Sequence, residues 1–191
     1  MEKNPKYEKI IESAVDIFAQ KGFHETTMKE IAESAGIGKG TIYIHFENKD
    51  HLFSEILDNG IENLAQYVEN EINKNNSPGN KLKKAIKAQL EYFSKHEDFC
   101  LFLFRELWGY RQDLKNKIIK LHNKHTVIIK EIIAEGIENG HFKVEDENTV
   151  SASIVGMIYG AAVHWFMFSK TFPLEKIYSD IVNTFFEKHI G

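Results

Sequence analysis

The residues of this 191-residue chain that could do chemistry cluster between Thr27 and Lys49, and they suit anion binding better than catalysis. Lys39 and Thr41 place an ammonium and a hydroxyl at the start of a short predicted helix, where backbone amides and the helix dipole already favour negative charge. Tyr43 can lay its ring along a sugar–phosphate chain with its hydroxyl on a phosphate oxygen. Lys49 falls in the first turn of the next predicted helix, another amide-rich position. This set predicts contacts with nucleic-acid phosphates.

The elements that position these residues form a predicted helix-turn-helix. Thr27 and Glu30 make a capping box, in which the threonine hydroxyl accepts from the third amide and the glutamate reaches back to the first. Ala35-Gly36-Ile37 gives the sharp turn that presents a second helix to a major groove. Gly38 and Gly40 remove side-chain bulk where that helix approaches DNA. The small core of the unit is predicted to consist of Ile31, Ala32, Ile37, Ile42 and Phe46.

The remainder of the chain is predicted to be helical. Its three prolines, Pro5, Pro78 and Pro173, fall near element boundaries, and no strand-type alternation of useful length occurs. The fold class is therefore all-α, with a helix-turn-helix domain at 1–47 and an all-helical ligand-binding and dimerisation domain at 48–191. The predicted helices cover 5–21, 27–34, 38–44, 48–72, 80–95, 98–110, 112–139, 147–170 and 174–189.

The charge balance limits how DNA can be held. The net charge is −4, and residues 1–50 contain seven lysines, no arginine and nine acidic residues. We therefore expect modest non-specific affinity, with specific binding that depends on correct dimer geometry. The single cysteine, Cys100, lies in an apolar run and is expected to be a small buried hydrophobe in a cytoplasmic protein.

A membrane protein and an enzyme are the two alternatives to a DNA-binding protein. Residues 148–169 carry no Asp, Glu, Lys or Arg and are long enough to span a bilayer, but His164 would then lie in or near the hydrocarbon. A helix buried at an interface explains the run better, so no membrane partner is expected. No nucleophile–base pair, paired carboxylate motif or phosphate loop indicates an enzyme. A helical enzyme or a membrane-associated protein with a non-DNA-binding helix-turn-helix remains the alternative.

The N-terminal quarter resembles a known family of regulators. The residues that carry the resemblance are Thr27, Ile31-Ala32, Gly36-Ile37, Lys39-Gly40-Thr41-Ile42-Tyr43, His45-Phe46, Lys49-Asp50 and Leu52. They are similar to the N-terminal signature of the TetR family of one-component transcriptional regulators. The resemblance implies a homodimer on a palindromic operator of double-stranded DNA, acting as a repressor and released when a small molecule enters the C-terminal domain. The DNA-binding set it implies, with Gly40 added for close approach, is Thr27, Lys39, Gly40, Thr41, Tyr43, His45 and Lys49.

Two positions depart from the pattern of that family. Gly38 stands where the family often has serine or alanine, which weakens the cap of the recognition helix. Ile44 stands where a polar or aromatic residue frequently helps to contact DNA. Because Lys39 is the only lysine or arginine in that helix, base readout is expected to use backbone approach, thymine-methyl contact and DNA shape.

The C-terminal half has an aromatic excess that predicts either a packed core or an effector pocket with a few polar groups. The stretches around 105–118 and 135–140 resemble the subgroup of fatty-acid regulators that respond to long-chain acyl-CoA, which implies a small hydrophobic effector. Arg105 and Arg111 could meet an acyl-CoA phosphate or pair with Glu106 and Asp113 at the surface. The candidate effector-binding residues are Phe93, Phe102, Arg105, Glu106, Trp108, His125, Tyr159 and His164.

Two further features concern metals and dimerisation. His122 and His125 share a helical face at a spacing compatible with a metal, but no third ligand is placed, so neither metal nor cofactor is expected. The helices at 147–170 and 174–189 carry small and apolar residues that predict a dimer interface, with packing inside one chain as the alternative. The same two helices form the dimer bundle that the family resemblance implies. The candidate interface residues are Gly156, Gly160, Val163, Ile181 and Phe185.

Overall fold

The computed structural model describes residues 5–73, 77–108, 115–167 and 173–189; within them, the side chains of 104–108, 115, 117, 118, 121, 188 and 189 lie outside the description. The described residues form nine α-helices and no β-strand, which confirms the all-α prediction. In chain order the helices are α1 Pro5–Lys21, α2 Met28–Ser34, α3 Lys39–His45, α4 Lys49–Ile72, α5 Pro78–Lys95, α6 Glu97–Trp108, α7 Lys115–Glu138, α8 Glu147–Met167 and α9 Leu174–His189.

Local sequence signals set most of the helix ends. At the end of α1, the amide of Gly22 donates to the Phe18 carbonyl at 2.8 Å, and its φ of +82° is one that glycine adopts without strain. At the start of α4, the Asn48 side chain accepts from the His51 amide at 2.8 Å. The helix α5 begins earlier than the predicted residue 80, because Ser77 caps it with Pro78 in its first turn.

The chain divides into two compact units. The head unit comprises Met1–Ile61 and Glu97–Leu114, and the body unit comprises Glu62–His96 and Lys115–Gly191. The head unit therefore takes in the first half of α4 and the helix α6, in addition to the three helices expected at 1–47.

A cluster of phenylalanines forms the core of the head unit. The Phe102 ring of α6 stacks on Phe18 of α1 at 5.1 Å between centroids and meets Phe53 of α4 edge-on at 4.9 Å. Phe23 meets Phe53 edge-on at 5.0 Å. Burial raises the pKa of the Cys100 thiol to about 12, so this α6 side chain is the buried hydrophobe that was expected.

Within the body unit, α5 packs against α7, α8 and α9, and α7 packs along α8. Lys81 of α5 and Glu135 of α7 form an ion pair at 2.7 Å, and Lys130 of α7 pairs with Glu147 of α8 at 3.2 Å. A Cβ at Gly136 would lie 2.1 Å from the Phe142 ring, so this position requires glycine for close packing.

The helix α8 carries the long uncharged run of the sequence. It is the one helix of the described residues whose length and composition would allow it to cross a membrane, and 28% of its apolar window is buried. Its buried residues recur at helical spacing and give it one packed side and one exposed side. These buried residues are Ser151, Ile154, Val155, Ile158, Ala162 and Phe166.

Candidate functional site

The helix-turn-helix forms as its sequence predicts. The Thr27 hydroxyl accepts from the Glu30 amide at 3.2 Å while the Glu30 carboxylate accepts from the Thr27 amide at 2.9 Å, which confirms the capping box. In the turn, Gly36 has a φ of +67° and the amide of Ile37 donates to the Ala32 carbonyl at 2.9 Å. This bond, with that from Gly36 to Glu33 at 3.1 Å, is the Schellman pattern that ends a helix sharply.

The short helix α3 presents most of its residues to solvent. Ile42 is fully buried, whereas Lys39, Gly40, Tyr43 and Ile44 are exposed. Ile44 is 80% exposed, and sequence reasoning did not include it among the site residues although it had marked the position as unusual. Ile44 adjoins Tyr43, another large side chain that is exposed on the same helix.

The glycines at the start of α3 are not required by packing within the chain. Gly38 caps the helix in an extended conformation without a side-chain hydrogen bond, so the cap is as weak as predicted. A Cβ at Gly38 would meet only the Thr41 hydroxyl, at 3.8 Å, and a Cβ at Gly40 would meet no described atom within 4 Å. The space in front of this helix end is therefore open.

The ammonium of Lys49, which was expected to bind a phosphate, makes its hydrogen bonds inside the head unit. Its ammonium donates to the backbone carbonyls of Phe23, His24 and Thr26 at 2.5, 3.2 and 2.6 Å, and it lies 4.4 Å from the centroid of the Phe23 ring. A lysine ammonium has three N–H donors, and these three carbonyls use all of them. Lys49 thus holds the loop between α1 and α2 against the start of α4 and is not free for DNA.

A tyrosine of α1 supports the last turn of α3. The Tyr7 ring lies edge-on to His45 at 6.3 Å and packs on Phe46 at 5.2 Å. Its hydroxyl donates to the Glu55 carboxylate and accepts from the Asn59 amide, both at 3.0 Å, and desolvation by burial raises its pKa above the usual value. His45 is therefore half-buried against the first turn of α1, and a DNA contact from its outer edge stays a prediction.

Ion pairs place lysine ammonium groups next to two carboxylates of the helix-turn-helix. Lys21 hydrogen-bonds Glu30 at 2.6 Å, which together with the Thr27 contacts lowers the pKa of that carboxyl to about 2. Lys29 pairs with Glu33 at 3.6 Å on the exposed side of α2. Lys39 makes no ion pair with any described residue, so its ammonium projects from α3 into solvent.

The structure brings together some of the candidate effector residues. Tyr159 of α8 is hydrogen-bonded to Nδ1 of His125 on α7, stacks on that imidazole at 5.7 Å, and lies 5.8 Å from the Phe93 ring of α5. His164 is exposed on α8. Phe102 is not brought together with these residues within the body unit, since it belongs to the aromatic core of the head unit. The side chains of Arg105, Glu106 and Trp108 lie outside the described residues.

The candidate dimer residues fall into two groups. Gly156 and Gly160 are exposed on α8, and a Cβ at either would meet no described atom within 4 Å. Val163 is half-buried on the same helix. Ile181 and Phe185 are 5% and 3% exposed in the single chain, and Phe185 packs edge-on against Phe142 at 5.2 Å. These two α9 residues therefore belong to the chain's own core, which corrects their placement at a dimer surface.

The histidine pair on α7 has no further metal ligand near it in the described part of the chain. No group of three His, Cys, Asp or Glu side chains that could hold a metal ion occurs among those residues. The Nδ1 atom of His125 is already engaged by Tyr159.

Two family models match the chain over most of its length. The model for the bacterial regulatory proteins of the tetR family matches residues 10–56. The model named "Tetracyclin repressor-like, C-terminal domain" matches residues 75–186. The chain belongs to the TetR family of bacterial transcriptional regulators. This membership confirms the predicted family and assigns the family's helix-turn-helix DNA-binding region to residues 10–56, within the head unit.

Individual TetR-family relatives are similar over nearly the whole chain. The chain is 25% identical to the fatty acid metabolism regulator protein of Bacillus subtilis over 95% of its own length and 94% of that protein. It is 29% identical to the transcriptional regulator QacR of Staphylococcus aureus over 80% and 82% of the two chains.

Solved structures of TetR-family regulators share the fold. The fatty acid degradation regulator FadR of Bacillus halodurans superposes with a TM-score of 0.88 at 24% identity over 97% of both chains. The regulator FadR of Bacillus subtilis, in complex with stearoyl-CoA, gives a TM-score of 0.84 at 24% identity over 94% of this chain and 97% of that one.

Proposed function

We propose that this TetR-family regulator is a repressor that binds a palindromic operator as a homodimer and leaves it when a long-chain acyl-CoA binds the body unit. The observation that carries the DNA-binding part is the surface of α3. This helix exposes Lys39, Gly40, Tyr43 and Ile44 while Ile42 anchors it to the head unit. Among the described residues, packing within the chain does not account for the exposure of these side chains.

The chemistry of the α3 surface matches a major groove. Open space around Gly38 and Gly40 lets the helix end approach a phosphate, to which Lys39 and Thr41 add a cation and a hydroxyl. The exposed Ile44 suits the methyl group of thymine. Thr27, Tyr43 and His45 complete the contact set, and Lys49 supports it from within the fold.

Dimerisation compensates for a weakly basic reading surface. A single head with one exposed recognition-helix lysine neutralises few phosphates, so two linked heads are needed for tight specific binding. The exposed side of α8, which includes Gly156 and Gly160, allows a second chain to approach closely. This assignment also accounts for the uncharged α8 without a membrane, in a cytoplasmic protein that is not an enzyme.

The effector proposal rests on the relatives and on the interior of the body unit. The relative from Bacillus subtilis is named a fatty acid metabolism regulator, and a solved TetR-family structure contains stearoyl-CoA. In this chain, Phe93, Tyr159 and His125 form an aromatic wall in which the Tyr159 hydroxyl is hydrogen-bonded to His125. Such a wall suits a largely apolar ligand that carries a few polar groups.

The experiment is operator selection from random duplexes, followed by fluorescence anisotropy with the selected site. We expect a palindrome, release by lauroyl- to stearoyl-CoA, and no release by CoA alone. The variant Ile44→Asn should weaken operator binding about tenfold or more, as a lost methyl contact and a new polar group both act at the base edge. Val127→Asn is the matched control, since Val127 is also an exposed apolar residue and lies on α7.

The outcomes separate the parts of the proposal. Failure to select any duplex would refute DNA reading by α3. Selection of a palindrome that no acyl-CoA releases would refute the effector class and leave the DNA-binding role standing.

A further inference from the structure

Two buried polar side chains of the body unit each have one atom without a hydrogen-bond partner among the described residues. Gln89 of α5 is 1% exposed; its amide nitrogen donates to the Ala85 carbonyl at 3.4 Å, and its Oε1 has no partner. His125 of α7 is 0% exposed; its Nδ1 is bonded to Tyr159, and its Nε2 has no partner. Because a buried polar atom without a hydrogen-bond partner disfavours folding, the pair points to a group that binds there.

The packing of the body unit puts these two residues at a similar level. Lys81 of α5 pairs with Glu135 of α7. Gln89 lies eight residues after Lys81 on α5, and Val127 lies eight residues before Glu135 on α7. His125 lies two residues from Val127, so it differs in level from Gln89 by about 3 Å at 1.5 Å of rise per residue. The two residues therefore lie at a similar level on two helices that pack against each other.

Ring contacts with Tyr159 of α8 agree with this similar level of Gln89 and His125. Phe93, one helical turn beyond Gln89 on α5, lies 5.8 Å from the Tyr159 ring of α8. Tyr159 in turn stacks on His125 with an interplanar angle of 10°. His125 thus contacts the Tyr159 ring directly, and Gln89 lies one turn of α5 before the Phe93 ring that contacts the same tyrosine.

The two atoms require complementary partners. An amide oxygen only accepts hydrogen bonds, so Gln89 Oε1 needs a donor. Burial lowers the pKa of His125 to about 4, so the imidazole is neutral near pH 7. A neutral imidazole carries one ring proton, and we assign the Tyr159 hydroxyl as the donor to Nδ1, which puts that proton on Nε2, where it needs an acceptor.

We propose that Gln89 and His125 form a polar subsite for an amide or hydroxyl group of the effector, which donates to Gln89 Oε1 and accepts from His125 Nε2. The inference rests on the proposed effector role of the body unit. A carbonyl of an ester or thioester only accepts, and it would leave the Gln89 oxygen unpaired. In an acyl-CoA, the amides of the pantetheine arm supply the required pair; in a simpler lipid, a primary amide or an alcohol does so.

The test measures the binding of lipids with matched chains to the full-length protein by calorimetry. Decanamide and decanol donate and accept, whereas methyl decanoate only accepts. We expect the wild-type protein to bind the amide and the alcohol about tenfold or more tightly than the ester. In Gln89→Leu the three affinities should converge, because the residue that demands a donor is gone. Lauroyl-CoA is measured in parallel. If its pantetheine amides use the same subsite, its affinity should be lower for Gln89→Leu than for the wild-type protein.

The melting temperature of the ligand-free protein gives a second readout. It should rise in a Gln89 variant if the residue serves binding, and fall if the residue serves the fold. Replacing an unpaired buried amide by leucine of similar volume should raise the melting temperature of the ligand-free protein. Gln89→Met repeats the measurement with a more adaptable side chain. Ser151→Ala is the control, because the buried Ser151 hydroxyl is satisfied by the Glu147 carbonyl at 2.6 Å. That control should leave the lipid preference unchanged.

Two results would overturn the subsite: equal affinities for the three lipids in the wild-type protein, or an unchanged preference together with a lower melting temperature in both Gln89 variants. Release of the operator distinguishes this failure from failure of the proposed function. If lauroyl-CoA releases DNA from the wild-type protein and no amide preference exists, only the subsite is wrong. If no acyl-CoA releases DNA, the effector proposal is wrong whatever decanamide does.

Discussion

Replacing Lys49 by methionine should impair folding without changing how strongly salt weakens DNA binding. The substitution keeps the length of the apolar stem and removes the ammonium that donates to the carbonyls of Phe23, His24 and Thr26. Lys39→Met is the matched variant, because the Lys39 ammonium is exposed on α3 and has no ion-pair partner among the described residues. The two lysines are therefore predicted to have opposite roles.

The size of the Lys49 effect follows from its hydrogen bonds. A hydrogen bond to a charged group contributes about 1.5–3 kcal/mol, and the ring of Phe23 adds about 0.5–1 kcal/mol as a cation–π contact. Because one ammonium makes all of these contacts and is well hydrated in the unfolded chain, their contributions do not add. We expect Lys49→Met to lower the free energy of unfolding by about 2–4 kcal/mol and Lys39→Met to change it by less than about 0.5 kcal/mol.

The assay is chemical denaturation of each variant, followed by operator binding at several salt concentrations. Each lysine that neutralises a phosphate contributes about 0.9 to the slope of log affinity against log salt. Lys39→Met should lower that slope by about 1.8 for the two chains of a dimer, and Lys49→Met should leave it unchanged. A Lys49 variant of normal stability with a reduced salt slope would refute the structural role and restore Lys49 as a phosphate ligand.

Three further substitutions test the packing and electrostatics. Gly60→Ala should destabilise the head unit by about 1–3 kcal/mol in denaturant unfolding, because its Cβ would lie 2.1 Å from the Phe99 ring, whereas Gly156→Ala should not destabilise the chain. The pKa of Glu30 is held at about 2 mainly by the α1 lysine, so its contribution to stability is present above pH 4.5 and lost as the pH falls toward 2; a Glu30→Gln variant should lack this loss. Burial lowers the pKa of His125 from 6.5 to about 4, so between these pH values the unfolded chain binds a proton that the folded chain does not. The free energy of unfolding should therefore fall as the pH is lowered from 6.5 to 4, by up to about 1.4 kcal/mol per pH unit, and less steeply in His125→Phe. Equal slopes in the two proteins would contradict the buried neutral imidazole.

Local features of the fold could be predicted from the sequence because they depend on near neighbours. The capping box at Thr27, the turn at Gly36 and the weak cap at Gly38 each involve residues within five positions of one another. The same holds for the end of α1 at Gly22. The predicted start of α5 at residue 80 is late because Ser77 and Pro78 are themselves the capping signal of the helix.

The features that could not be predicted depend on residues far apart in the chain. The role of Lys49 is set by carbonyls more than twenty positions away. An aromatic excess does not reveal that Phe102 joins Phe18 while Phe93 joins Tyr159. An apolar stripe such as that of Phe185 looks alike whether it packs inside the chain or against a second one.

A single anisotropy titration of a labelled duplex that carries the selected operator follows both DNA binding and release by the effector. We expect saturation at two chains per palindromic site, followed by a return to the anisotropy of the free duplex when stearoyl-CoA is added. Saturation at one chain per site, or a complex that stearoyl-CoA leaves intact, would contradict the proposed function.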